Sequence, residues 1–210
     1  MNLTDPAIQT FLLIAFLSLI PSILVMFTSF TRIVVVLSFL RQAIGTQQVP
    51  PNPVIIGLSI FLTFFVMGPS IDVISRDSIK PYLNKEIGFQ EALSRAEMPI
   101  KTFMLKHTRQ KDIALFLNMS KVKKPEKVED LSLKILVPAF AISELKSAFE
   151  MGFLLFLPFL IIDLVVSSIL LSMGIMMLPP PLISLPFKLL LFVLVDGWNL
   201  ITGSLIRSFQ

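Results

Sequence analysis

The sequence contains no cysteine and only one histidine, so the usual donors for catalytic and metal sites are scarce. Without cysteine, the chain has no disulfide, no thiolate metal site and no cysteine nucleophile. The single histidine, His107, has no second histidine near it to complete a metal site, and we expect it to be structural or solvated. The sequence also lacks the glycine-rich nucleotide motifs and the G-x-S-x-G elbow. We therefore expect no enzymatic activity, no metal and no cofactor.

Charge is also scarce: 15% of the residues are charged, 54% are hydrophobic and the mean hydropathy is +0.83. This composition is typical of a membrane-associated chain rather than of a soluble domain. Residues 76–135 hold thirteen of the eighteen Lys and Arg residues together with eight of the fourteen acids. Because these cations alternate with acids and lack interleaved aromatic residues, we expect no nucleic-acid partner.

Four hydrophobic segments have the length or apolarity to enter a bilayer, at residues 7–31, 54–71, 137–178 and 182–206. The first is followed by Arg32 and then by a further apolar run, IVVVLSFL. Two alternatives stay open here, a single helix of more than thirty residues with an internal arginine or a helix that ends early. The chain starts MNLTDPAIQTFLL, without a basic region or a small-residue cleavage site, so we predict no signal peptide.

The third segment is far too long for one straight span, so it must either break or leave the hydrocarbon. The third and fourth segments also contain charged residues, each of which costs about 2.5 to 3.5 kcal/mol at the centre of a bilayer. These residues therefore need a polar interface or a partner of opposite charge. They are Glu144, Lys146, Glu150 and Asp163 in the third segment, and Lys188 and Asp196 in the fourth.

The spacing of these charges predicts some of their partners. Lys146 and Glu150 are four residues apart, so on a helix they are able to pair with each other. Glu144 is then the carboxylate that needs a distant cation. The remaining candidates for pairing are the carboxylates Asp163 and Asp196 and the cations Lys188 and Arg32.

The polar region at 76–135 has helical periodicity. Its apolar residues form three groups, and we predict three short amphipathic helices, with Pro99 in the first turn of the middle one. The following SKVKKPEKVED is nearly free of apolar residues, which predicts a flexible linker. The resulting organisation is a first hydrophobic hairpin at 1–75, a polar helical region at 76–135 and a second hydrophobic hairpin at 136–210.

The segment SMGIMMLPPP at residues 172–181 places three methionines directly before three prolines. Pro179, Pro180 and Pro181 prevent the preceding helix from continuing, so they are able to hold a turn at a defined place. One interpretation is structural, with methionines that fill a helix end. The other is functional, because unbranched thioethers re-pack at small cost against surfaces of varied shape.

Residues 28–69 carry TSFTRIVVVLSFLRQAIGTQQVPPNPVIIGLSIFLTFFVMGP, and the later part of the chain carries PAFAISELKSAFEMGFLLFLPFLIID, LVDGW and GSLIRSF. These stretches resemble the flagellar export-gate family FliP. The virulence type III secretion homologues share this layout, so an equivalent virulence export gate is the alternative. The motifs GTQQVPPNPVIIGL, LVDGW and GSLIRSF look more like the flagellar branch.

The resemblance implies a subunit of the protein-conducting gate of flagellar type III export. It implies a ring of copies, with a pentamer suggested, that assembles with FliQ and FliR near FlhB and FlhA and takes exported flagellar proteins as substrates. The implied fold is all-α and membrane-associated, with bent helical hairpins and a small helical extracytoplasmic insertion. The implied location is the inner membrane, with 76–135 on the periplasmic side, whereas the positive-inside rule alone would place that basic region in the cytoplasm.

The resemblance also assigns residues. It implies inter-subunit charge contacts at Glu144 and Lys188, with Asp163 at a further charged position. It favours a pore gasket made by Met173, Met176 and Met177.

Two hypotheses from other classes remain. In a solute transporter or channel, Arg32, Asp163, Lys188 and Asp196 would line a pathway. In a purely structural assembly factor, no part of the chain would contact an exported substrate.

Overall fold

The computed structural model describes residues 6–46, 48–120, 130–175 and 177–210, and the regular secondary structure in these ranges is helical throughout. This confirms the predicted all-α class. The helices are α1 Pro6–Phe27, α2 Phe30–Ile44, α3 Asn52–Ile74, α4 Lys80–Leu83, α5 Phe89–His107, α6 Gln110–Ser120, α7 Leu133–Ser172, α8 Pro180–Leu194 and α9 Gly197–Arg207. A single π-helical turn, Ser75–Ile79, joins α3 to α4.

By length and apolarity, two helical stretches of the described chain are able to cross a membrane, Asn52–Leu83 and Leu133–Ser172. The number rises to four if each of two bent helix pairs counts as one span. One of these pairs, Pro180–Leu194 with Gly197–Arg207, bends by 64°. The expectation of about four hydrophobic segments with bent helices is thereby confirmed.

The first hydrophobic run is interrupted, which decides between the two alternatives left open by the sequence. Helix α1 ends at Phe27 and α2 begins at Phe30, so the interruption precedes the arginine. Arg32 consequently lies in the first turn of α2 and is buried.

The third hydrophobic segment does not break. Helix α7 runs for 40 residues and passes through Pro158 without interruption. At 1.5 Å per residue it is about 60 Å long, twice the roughly 30 Å of a hydrocarbon core. Of the two expectations for this segment, the break was wrong, and a helix that extends beyond the hydrocarbon is the one that remains.

The described residues form two compact units. The first comprises those of Met1–Ser29 and Ser70–Ile142, and the second those of Phe30–Pro69 and Ser143–Gln210. Helices α3 and α7 contribute to both. The three-part division predicted from the sequence stays a prediction.

Within the first unit, the prediction of three short helices was wrong, because the first two are one helix. Helix α5 has 19 residues and contains Pro99 in its interior rather than in a first turn. It packs against the π-helical turn, where the Ser78 hydroxyl donates to the carbonyl of Ala92 over 2.6 Å, and it buries Phe103 and Met104. This packing outweighs the loss of one helical hydrogen bond at proline. Residues 121–129 of the predicted linker SKVKKPEKVED lie outside the described residues.

Within the second unit, α2 packs closely against the middle of α7. A Cβ atom at Gly152 would lie only 2.5 Å from Cδ2 of Phe39, so glycine allows the two helices to approach each other. The Phe39 ring makes edge-to-face contacts with Phe149 and Phe156, with centroid distances of 5.1 and 6.1 Å. This contact holds α2 beside the part of α7 that carries the charged residues.

Candidate functional site

Two buried charges of opposite sign form an ion pair between α2 and α7. Glu144 is fully buried, and Arg32 is only 5% exposed. Nε of Arg32 donates to Oε2 of Glu144 over 3.0 Å, and Nη2 donates to Oε1. Such two-point pairing of a guanidinium with a carboxylate is the geometry that best compensates the loss of water around both groups. The expectation that Glu144 pairs with a distant cation is confirmed.

The Arg32 guanidinium also contacts the chain segment that follows α9. Nη1 donates to the carbonyl oxygen and the hydroxyl of Ser208 over 2.9 and 3.0 Å. The Cζ atom lies 3.9 Å from the ring centroid of Phe209, a cation–π contact. One arginine therefore ties together α2, α7 and the residues after α9. The sequence motif GSLIRSF contains both contacts, but spacing alone did not indicate their partner.

A second ion pair joins α7 to α8. Nζ of Lys188 donates to Oδ2 of Asp163 over 2.6 Å and to the carbonyl of Ala43 over 3.4 Å. Ala43 lies in the last turn of α2, where exposed carbonyls favour a cation. The Ser184 hydroxyl donates to Oδ1 of Asp163 over 2.6 Å. Of the pairings left open for Lys188, the one with Asp163 is therefore confirmed.

The structure also places the other charged residues singled out in the sequence, the pair of Lys146 and Glu150 and the single Asp196. Lys146 and Glu150 form the local ion pair expected from their spacing, with a distance of 3.4 Å between nitrogen and oxygen. Asp196 lies exposed at the bend between α8 and α9, with a left-handed backbone (φ 49°). It marks the bend of the fourth segment rather than a buried charge within it.

Glu144 and Lys188 each have a partner of opposite charge within the chain, although the resemblance assigns both to an inter-subunit contact. The structure brings Glu144 to Arg32, and Lys188 to Asp163. Their role between subunits stays a prediction.

The methionine segment leaves the end of α7 as an exposed loop. Met173 is 66% exposed and Met177 is 96% exposed, whereas Met176 lies outside the described residues. After the loop, Pro179 precedes α8 with an extended backbone, and α8 starts with two prolines, Pro180 and Pro181. Proline is favoured at this position because the first helical N–H groups have no partner within the helix.

Gly174 was missed in the sequence, although a glycine after an apolar helix is a known signal for a helix end. It has φ +73°, and its N–H donates to the carbonyl of Leu171 over 3.0 Å, while Ile175 N–H donates to that of Leu170 over 2.9 Å. These two bonds are the Schellman arrangement that closes a helix with a left-handed residue. The end of α7 is thus defined by glycine, five residues before the first of the three prolines.

Among the described residues, no group of three or more His, Cys, Asp or Glu side chains is placed to hold a metal ion. The ring of His107 packs against Phe103, with 4.7 Å between the ring centroids, which fits the structural role expected for it. That the chain is not an enzyme stays a prediction.

The fold and the ion pairs define the class of protein: an all-α chain with two to four candidate membrane spans, internally paired charges and an exposed methionine loop. The chain matches the sequence model of the FliP family over residues 13–205. It belongs to the FliP family, and the resemblance stated from the sequence is confirmed.

Three relatives illustrate the degree of similarity, and each is named flagellar biosynthetic protein FliP. The protein from Bacillus subtilis is 57% identical over 202 residues, which is 96% of this chain and 91% of the relative. The protein from Aquifex aeolicus is 57% identical over 211 residues, 100% of this chain and 88% of the relative. That from Caulobacter vibrioides is 55% identical over 209 residues, 100% and 79% respectively.

Proposed function

We propose that this chain is a subunit of the gate through which the flagellar export apparatus passes unfolded proteins. In this proposal several copies form a ring, a pentamer, with FliQ and FliR, and exported flagellar proteins are the substrates. FlhB and FlhA lie nearby. Membership of the FliP family supports the more general statement that this chain is a component of the flagellar export apparatus.

The observation that carries the gate function is the exposure of the methionine loop. A gate must pass chains of many sequences and still hold back ions when idle. Met173 and Met177 are exposed apolar side chains on a loop whose two ends have defined backbone geometry. Flexible thioethers adapt their shape at small cost, so several such loops meeting on one axis would form a deformable gasket.

The buried charges support a scaffold for that loop rather than a solute pathway. Arg32 and Lys188 are each bonded to a carboxylate, and both are at least 95% buried. A side chain that coordinates a passing ion or solute needs contact with that solute. We therefore assign these pairs to holding α2, α7 and α8 in register around the loop.

The apolar surface supports assembly with neighbouring chains and lipid. Large hydrophobic side chains stand exposed along α3, α7 and α8, far more than a soluble monomer leaves in contact with water. They include Phe61, Phe64 and Phe65 of α3, Phe149, Phe153 and Leu154 of α7, and Phe187, Val193 and Leu194 of α8. We propose that ring neighbours and the inner membrane cover these surfaces, with 76–135 on the periplasmic side.

Replacement of Met173, Met176 and Met177 together by alanine tests the gasket. We expect a complex that assembles normally but leaks small ions or solutes across the membrane of the flagellated cell. The matched control replaces three exposed methionines elsewhere, Met26, Met98 and Met119, by alanine and should keep the barrier. An intact barrier in the loop variant, with normal assembly, would refute the gasket.

A further inference from the structure

The exit of the chain from α7 depends on a single residue with a left-handed backbone. Gly174 has φ +73°, a conformation that L-amino acids other than asparagine and aspartate rarely adopt. Its two neighbouring hydrogen bonds, Gly174 N–H to Leu171 and Ile175 N–H to Leu170, form only with this backbone geometry. The direction of the loop after α7 is therefore set at residue 174.

The opposite end of the loop is fixed by a different device. Pro179 has φ −65° and ψ 117°, and its carbonyl accepts a hydrogen bond of 3.1 Å from the N–H of Leu182 in α8. The proline ring itself restricts φ to this value. Only the glycine end thus depends on a conformation that most substitutions would abolish.

We propose that Gly174 is the positioning residue of the methionine loop, and that its left-handed conformation places Met173 and Met177 where the gate closes. The functional part of this inference rests on the proposed gasket. Met173 directly precedes the glycine and Met177 follows three residues later, so the backbone angles of Gly174 set the position of Met177 relative to Met173 and α7.

Space does not explain the glycine, which makes the test clean. A Cβ atom added at Gly174 would meet no atom within 4 Å. Alanine there introduces backbone strain and no clash, and this strain lowers the population of the native turn by about 5- to 30-fold. Asparagine tolerates the left-handed region better and should restore most of the native turn.

The experiment compares Gly174→Ala and Gly174→Asn in the full chain with Gly57→Ala as a control. Gly57 lies within α3, and a Cβ atom there also meets nothing within 4 Å, but it has an ordinary helical backbone. Spin labels on cysteines replacing Met177 and Leu164, two exposed residues of this cysteine-free chain, report the position of the loop relative to α7. The leak across the membrane is measured in parallel in the same variants without labels, which keep Met177.

We expect one narrow distance distribution in the parent chain, in Gly174→Asn and in the Gly57→Ala control. Gly174→Ala should give a shifted or broadened distribution together with a leak. An unchanged distribution in Gly174→Ala would overturn the positioning role. The gasket fails separately, if alanine at the three methionines leaves the barrier intact, whatever the labels report.

Discussion

Arg32 and Glu144 lie 112 positions apart in the sequence and form a two-point ion pair from which water is excluded. The pair joins α2 to α7, and the same guanidinium reaches Ser208 and Phe209 after α9. Since the partners come from three separate parts of the chain, this contact forms only when the second unit is folded.

Removal of one partner of this pair should be strongly destabilising. Arg32→Ala or Glu144→Ala leaves a buried charge without compensation, which costs about 3–5 kcal/mol. The double variant Arg32→Met with Glu144→Leu removes both charges and should recover most of that loss. Thermal unfolding of the detergent-solubilised chain measures the effect.

The matched control for this prediction is the exposed pair on the same helix. Lys146→Ala breaks the pair with Glu150, and pairs of that kind contribute about 0.3–0.5 kcal/mol. Equal losses of stability for Arg32→Ala and Lys146→Ala would contradict the role given to the buried pair.

The second ion pair should respond asymmetrically to mutation, because its two partners differ in exposure. The side chain of Lys188 is 6% exposed, whereas that of Asp163 is 37% exposed. Asp163→Ala strands a buried cation and should cost several kcal/mol, while Lys188→Met leaves a carboxylate that water is able to solvate and should cost about 1 kcal/mol. The melting temperatures of the two variants check the order, and the reverse order would disprove the burial argument.

The close approach of α2 and α7 makes a small substitution costly. The Cβ atom of Gly152→Ala would overlap the ring of Phe39, and overpacking of this kind costs about 1–3 kcal/mol. The double variant Gly152→Ala with Phe39→Leu should recover part of the stability that Gly152→Ala loses. Gly57→Ala in α3, where the added methyl group has open space, should instead be neutral or stabilising by up to about 1 kcal/mol. A melting temperature of Gly152→Ala equal to that of the parent chain would contradict this packing.

The orientation of the polar region is testable because the chain has no cysteine. Asn118→Cys, at an exposed position of α6, should react with a membrane-impermeant maleimide in intact cells whose outer membrane admits the reagent. Gln48 is exposed and precedes the candidate span Asn52–Leu83, so Gln48→Cys should react only after permeabilisation. Labelling of Asn118→Cys only in permeabilised cells would place 76–135 in the cytoplasm, as the positive-inside rule predicts.

The charges show what the sequence was able to predict. Burying a charge in an apolar segment is costly, so the sequence predicts that Arg32, Lys188 and Glu144 each need a partner. The i, i+4 spacing also predicts the exposed pair of Lys146 and Glu150. Spacing carries no information on the partner of Glu144, because that choice depends on how three distant helices pack. The sequence leaves a few possible partners for Asp163 and Lys188, and only the packing of α7 on α8 decides between them.

The helix boundaries show where local rules fail. Local chemistry favours Pro99 in the first turn of a helix and disfavours Pro158 in a helix interior, yet α5 and α7 continue through both. Packing along the rest of each helix outweighs the loss of one hydrogen bond at each proline. Gly174 obeys the local rule, since a left-handed residue ends α7 there.

Contact between the methionine loop and a substrate in transit tests the central claim most directly. A photo-crosslinker placed at Met177 is compared with one at Met119, an exposed methionine of α6, while an exported flagellar protein is stalled in the apparatus. The gate function predicts that the substrate crosslinks at Met177 and not at Met119. Assembled complexes that crosslink the stalled substrate elsewhere but never at Met177 would contradict it and favour a scaffold without substrate contact.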